Sequence, residues 1–240
     1  MQRLRVTFGR GEETRYLAHL DLMRFWERVF RRAHLSLAIS KGFHPHPRFA
    51  LAAPLPVGVT SEAELMDVFL EDPMDPARVH DHLSAQMTPG VRVIAVQKVE
   101  LELPSLQSQM RFAEYLVMVE TDRSRSQLEE AVAGIMGLKD LPWEHLRDGE
   151  PRRYNLRAQI DALWVEDWRQ GMATLGMRLK TDSSAAGRPE QVTRALGCPD
   201  HPVSILRTLL ILAPAPRNNT ARAIPARPSP DNAEPRTGDS

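Results

Sequence analysis

The residues best suited to bind or react lie near the start of the chain, in two segments. The first is Arg15-Tyr16-Leu17-Ala18-His19-Leu20-Asp21-Leu22-Met23-Arg24. A helix opening near Ala18 puts Asp21 in its first turn, where a carboxylate suits the positive end of the helix dipole. Asp21, Arg24, Arg28 and Arg31 then recur at spacings of three and four and share a face. Such a stripe suits a phosphate backbone; the same spacing also suits Asp21–Arg24 pairing on a merely solvated face. His19, one turn ahead of Met23 and Trp26, reads as a packed, hydrogen-bonded residue rather than a catalyst. The second segment is Lys41-Gly42-Phe43-His44-Pro45-His46-Pro47-Arg48. Glycine lets backbone approach a ligand closely, and the prolines stiffen the loop, lowering the entropy lost on binding. Phe43 offers a stacking face, and Lys41, His44, His46 and Arg48 offer donors. Aromatic and basic groups on a stiff loop suit single-stranded RNA or a nucleotide. A rigid turn between two strands would carry the same residues. His44 and His46 could supply two imidazoles to a metal, but no third ligand is identifiable, so no metal is expected.

Other chemistry is poorly represented. There is no GxxxxGK[ST] or GxGxxG cradle and no GxSxG elbow. The single cysteine, Cys198, excludes a disulfide framework, a Cys-rich zinc site and a protein-held iron–sulfur cluster. It follows a helix end with no activating neighbour and reads as a small apolar filler. Glu62, Glu64, Asp67, Glu71, Asp72 and Asp75 have no metal-site spacing and read as solvated strand faces and turns. Trp143, Trp164 and Trp168 read as core or interface. No cofactor is expected.

Charge is distributed unevenly along the 240 residues, although the net formal charge is zero. Residues 1–50 hold ten Lys/Arg against four acids, +6, with His19, His34, His44 and His46 among them. Residues 51–150 hold eight against eighteen, −10, and residues 151–240 return +4. A basic segment on a neutral protein invites an anionic partner. There is no apolar run of membrane-spanning length, so no membrane partner is expected. The opening MQRLRVTFGR lacks an apolar signal-peptide core, so a cytoplasmic location is expected.

These segments need elements to position them. Arg3–Phe8 alternates as a strand, His19–Ala33 has helical spacing, Arg48–Leu55 is extended and Glu64–Leu70 is a strand. Asp75-Pro76 opens a helix to about Gln86, and Val91–Val99 alternates as a strand. That order, β-α-β-β-α-β, predicts a ferredoxin-like α+β unit with an antiparallel sheet over residues 1–100. After a linker over Leu101–Gln109, a second and less regular α+β, ferredoxin-like unit is expected over residues 110–212. Its elements are a strand at Phe112–Glu120, a helix at Arg125–Met136 and an irregular acidic connection over Gly137–Glu150. Arg152–Trp168 reads as a strand then a short helix. A strand at Met172–Lys180, a helix from Pro189 to Leu196 and a strand at Ile205–Leu212 follow. Residues 213–240, with six prolines among twenty-eight residues, read as a disordered extension.

Three stretches carry a family resemblance: Arg15 to Arg24, Ile39 to Arg48, and Leu55-Pro-Val-Gly-Val-Thr-Ser-Glu-Ala-Glu64. Together they resemble the bacterial radical SAM-linked protein family, densely over residues 1–100 and again at Arg188-Pro-Glu-Gln-Val-Thr-Arg-Ala-Leu-Gly197. Members occur alone or joined to a cobalamin-type radical S-adenosylmethionine protein, and the family has no established activity. The family's loop commonly carries asparagine where this chain has His44, which implies a hydrogen-bonding role there rather than imidazole chemistry. A radical enzyme of this type needs three cysteines for its cluster, so one cysteine excludes this chain from being that enzyme. The resemblance implies an accessory module acting with a separate radical S-adenosylmethionine enzyme. RNA contact would come from Arg24, Arg28, Arg31, Lys41, Gly42, Phe43, His44, His46 and Arg48. Two alternatives remain at this level. Tandem ferredoxin-like units also resemble the repeat-processing endoribonucleases of CRISPR systems, with His19 as the proton-transfer group. A protein-interaction adaptor that touches no nucleic acid would need no catalytic motif.

Overall fold

The computed structural model describes residues 1–147, 149–182, 186–199 and 201–214. Strand β1 (Gln2–Arg10) turns Leu4, Val6 and Phe8 fully inward. Helix α1 (His19–Arg32) packs onto that face with Leu22, Phe25, Trp26, Val29 and Phe30, the stripe its three- and four-residue spacing requires. Ala18 offers no capping side chain, so Asp21 in the first turn and Arg31 and Arg32 in the last supply the match to the dipole. Trp26 is the hub of this core. Its ring centroid lies 4.9 Å from Phe8 and 5.6 Å from both Phe25 and Phe30.

Strands β2 (Phe49–Leu51) and β3 (Thr60–Leu70), helix α2 (Pro76–Ser84) and strand β4 (Val91–Val99) complete the first unit. Asp75 caps α2 by accepting the Ala77 N–H at 2.8 Å, with Pro76 in the first turn. The strands order as β4-β1-β3, with β2 on the other edge of β3, and every pairing is antiparallel. This is the ferredoxin-like arrangement that the element order predicts.

The second unit has the same plan with an insertion. Helix α3 (Leu106–Gln109) leads into β5 (Met110–Glu120), α4 (Arg125–Gly137), β6 (Pro142–Arg147), β7 (Glu150–Asn155), β8 (Ile160–Arg169), β9 (Met172–Lys180), α5 (Pro189–Ala195) and β10 (Ser204–Leu212). Its strands order as β10-β5-β9-β8, all antiparallel. Ser124 and Gln127 form a reciprocal capping box at the start of α4. Two expectations fail here. The stretch taken as an irregular acidic connection contains β6 and, with β7, forms a separate two-stranded hairpin. The stretch Arg152–Trp168, read as strand then short helix, does open as a strand, in β7, but in place of the helix it has a 3₁₀ turn at Arg157–Gln159 and then the ten-residue strand β8. In both places cross-strand pairing decides the outcome, because the local sequence lacks clean alternation.

The two units share one eight-stranded sheet. The outer edge of β3 is divided between two partners: β2 pairs at Val68–Met66, and β10 pairs in parallel at Thr60 and Ser61. Side chains reinforce the short parallel seam. Ser61 Oγ donates to the Arg207 carbonyl at 3.1 Å, and buried Arg207 pairs with buried Glu64. Of the extension expected from Ala213, everything from residue 215 on lies outside the described residues. No helix among the described residues is long and apolar enough to cross a membrane.

Candidate nucleic-acid interface

Helix α1 buries one face and leaves the other to solvent. Arg24, Arg28 and Arg31 all stand on the exposed side, with Arg32 beside them and Glu27 among them. Arg32 is an addition to the expected set; its spacing of four from Arg28 was the signal for it. Arg24 meets Asp21 at 3.3 Å, with both side chains more than half exposed, so that pair contributes little. Arg28 and Arg31 have no ion-pair partner among the described residues. His19 is the first residue of α1 and is exposed, not packed as its spacing suggested. At the first turn the helix has only begun to face the sheet, and Leu22 is the first residue turned fully inward. No acid or base among the described residues hydrogen-bonds the His19 ring.

The second segment is a loop closed at its base by main-chain bonds. The Ala38 N–H donates to the Phe69 carbonyl at 2.8 Å, and the Phe69 N–H donates to the Arg48 carbonyl at 3.1 Å. The Arg48 N–H returns to the Ala38 carbonyl at 2.8 Å, and Ser40 N–H reaches the His46 carbonyl at 2.9 Å. Beyond that ladder, Lys41 to His46 all project into solvent. Phe43 stands at the tip with its whole side chain exposed. A single exposed ring is common on protein surfaces; here it stands on a tip braced by the bonds of Ser40 and His46, with its face open to a stacking partner.

Three members of the loop play different parts from those expected. His46 locks the tip: its Nδ1 lies 3.0 Å from the His44 carbonyl and 3.0 Å from Ser40 Oγ, and its N–H donates to Ser40 Oγ. Arg48 is a foundation rather than a recognition group. It is half-buried, with its guanidinium 4.3 Å from the centre of the Phe69 ring and its Nη1 3.4 Å from Met1 Sδ. Gly42 has φ 155° and open space where a Cβ would stand, so it bends the tip without contacting anything. Lys41, Phe43 and His44 remain as the groups free to meet a ligand. Among the described residues no three His, Cys, Asp or Glu side chains converge as metal ligands.

The structure also brings together stretches distant in sequence. The Gly58 N–H donates to the Arg15 carbonyl at 2.8 Å, so the loop before β3 sits against the entry to α1. Tyr16, Leu20 and Val57 are all strongly exposed in that region.

Residues 3–189 match the profile of a family described as an uncharacterized protein conserved in bacteria (DUF2344). The chain belongs to this family. No curated protein matches this DUF2344 chain. Among solved structures it is similar to a Cbf5–Nop10–Gar1 complex, with TM-score 0.45 and 10% identity over 85% of this chain and 48% of that one. An H/ACA RNP bound to a substrate RNA containing 2′-deoxyuridine gives TM-score 0.44 at 9% identity, over 85% of this chain and 47% of that one. The archaeal box H/ACA sRNP Nop10–Cbf5 complex gives 0.42 at 8%, over 85% and 47%. The DUF2344 chain thus spans about half the length of the chains it overlays.

The acids of the first unit require a correction. Glu64 and Asp67, expected on solvated faces, are 3% and 1% exposed. Asp67 receives Arg3 Nε at 2.9 Å and Arg5 Nε at 2.8 Å, and Arg3 also donates to main-chain carbonyls of the linker, including Pro104 at 2.8 Å. These acids are structural counter-ions, not metal ligands. Cys198 is buried as expected; burial pushes its thiol pKa up, against a smaller opposing effect of Arg123. Trp143 and Trp168 pack at the edge of the second core. Trp164 lies across the Cα of Gly176, where a Cβ would stand 2.0 Å from its ring.

Proposed function

We propose that this protein is a cytoplasmic accessory module that contacts RNA and works beside a separate radical S-adenosylmethionine enzyme. The observation that carries the RNA contact is the solvent-exposed Phe43 on a tip braced by Ser40 and His46. A ring held in water on a stiffened loop is ready to stack with a base at small entropic cost. The exposed Arg28 and Arg31 of the preceding helix, with Arg24 and Arg32, would supply phosphate contacts. The enzyme partner is supported by the sequence resemblance of the segments around Arg15–Arg24 and Ile39–Arg48. All of these groups fall within residues 1–100, and residues 110–212 would act as a second domain bracing them.

The deciding experiment is a salt series on single-stranded and tRNA-sized RNA. Changing Arg24, Arg28 and Arg31 together to Gln should lower affinity and flatten the log–log salt dependence by about 0.7 for each lost single-strand contact. Phe43→Ala should weaken binding by roughly 1–3 kcal/mol, the range for one lost stack, and leave the melting temperature unchanged. An unchanged slope in the triple variant together with unchanged affinity in Phe43→Ala would remove RNA from this surface and leave the adaptor reading. Metal-independent RNA cleavage abolished by His19→Ala would replace this reading with the endoribonuclease. The partner enzyme is tested separately, by identifying the protein that co-purifies with the full chain.

A further inference from the structure

The sheet of the second unit buries one face and leaves the other open. Ala113, Tyr115 and Val117 of β5 turn inward and share one core with Leu128, Val132 and Ile135 of α4. Alternation sends the residues between them to the opposite face. Register carries that face across the strands. Trp164 of β8 stands opposite Gly176 of β9, Gly176 opposite Leu116 of β5, and Leu116 opposite Leu206 of β10. Toward one end follow Met118 and Thr174; toward the other follow Leu209, opposite Glu114, and then Phe112 with Ile211. None of these apolar side chains belongs to either core. Met118 and Leu209 are 38% and 44% exposed, and the others are half-buried.

Most charges on this face are matched within it. Arg178 holds Glu114 at 2.6 Å and Asp161 at 3.3 Å, and Arg169 holds Asp167 at 2.9 Å. Glu166 accepts the Trp164 Nε1–H at 2.7 Å. Lys180 stands at one end, in register with Phe112, while Glu166 and Glu120 lie toward the other. A nucleic-acid backbone is held by several cations together, and among the described residues Lys180 is the one cation of this face outside those ion pairs. The face suits a protein. Four strands of nine or more residues, about 4.8 Å apart, present roughly 600 Å². Pairing two such faces hides about 1,200 Å², the lower limit for a stable dimer. Residues 215–240 cannot supply the same cover, because Ile224 is their one large aliphatic or aromatic side chain.

We propose that two copies of this chain pair through this face, sheet against sheet, as a homodimer. Flat sheets pack face to face with their side chains interdigitated, and a twofold axis makes the face its own complement. A second copy turned end for end lays the Trp164–Leu116–Leu206 row over the same row and carries Lys180 toward the acidic end of the other copy. Helix α1 packs on Leu4, Val6 and Phe8 of the first unit, so the dimer and the RNA reading stand or fall separately.

The test is sedimentation velocity of the full chain from nanomolar to high micromolar concentration. A reversible rise to twice the chain mass is expected. Met118→Glu and Leu209→Glu, made separately, put a carboxylate where the monomer is exposed and the dimer is dry. Each should weaken association roughly hundredfold or more, the effect of burying an uncompensated charge, with an unchanged circular dichroism spectrum. If one of them fails to fold, the other decides. Leu138, at the end of α4, is 44% exposed, and Leu138→Glu should dimerise like the parent. A monomer at every concentration would overturn the proposal; a dimer that then appears on deleting residues 215–240 would make the tail the occupant of the face. A dimer that survives both Met118→Glu and Leu209→Glu, or one lost equally in Leu138→Glu, would overturn it too, by placing the contact elsewhere.

Discussion

The seam between the units offers a quantitative test of how this fold is held. Among the described residues Glu64 is the only carboxylate that pairs with Arg207, and its charge also favours the charged form of buried Arg10, whose Nη2 donates to the Thr14 and Leu17 carbonyls. Glu64→Gln removes that charge while keeping nearly the same shape. Two charge-assisted hydrogen bonds, about 1.5–3 kcal/mol each, are weakened, and two buried guanidiniums face each other. The expected loss is about 3–5 kcal/mol, as for other broken buried pairs. Arg207→Met breaks the same pair differently. It leaves Glu64 with Arg10 still in electrostatic range, so its cost should be smaller by roughly 1–2 kcal/mol, the contribution of one screened cation at an effective dielectric of ~20. Urea unfolding of each variant, followed by tryptophan fluorescence in phosphate-free neutral buffer, measures both values. The ranking is the sharper readout. If Arg207→Met proves as costly as Glu64→Gln, or if Glu64→Gln costs under about 1 kcal/mol, the account of a charge-unbalanced seam is wrong.

Two further predictions rest on single contacts. Gly176→Ala drives the Trp164 ring off the sheet and should destabilise by about 1–3 kcal/mol, as overpacking does; adding Trp164→Ala should recover part of that loss, seen as a non-additive double-mutant cycle. Cys198 should react with iodoacetamide slowly in the native protein and quickly in urea. Its folded pKa is raised by burial, so the neutral thiol contributes stability below its ordinary pKa that is lost as pH rises through the folded value. Rapid native alkylation at mildly alkaline pH would contradict this burial.

Much of the first unit is legible along the chain because its elements are locally consistent. Leu4, Val6 and Phe8 alternate, Leu22 to Val29 recur with helical spacing, and Asp75-Pro76 opens a helix; each pattern reports one apolar face to be buried. The exposed arginines of α1 follow from that stripe by elimination, and the stiffness of the Lys41–Arg48 loop follows from its prolines. The fates of individual polar groups are another matter. Arg207 reaches Glu64 across 143 residues, and Arg3 reaches Asp67 across 64. Only the paired strands bring these charges together, so the acids read as solvated were instead buried. Arg48 is held by an aromatic ring, Phe69, that no local spacing links to it. The β6–β7 hairpin and β8 acquire their form from cross-strand partners rather than from alternation of their own. Periodicity along a chain determines which face turns inward; which charge meets which, and which donor such as Arg10 Nε is left without an acceptor, is decided when distant strands pair.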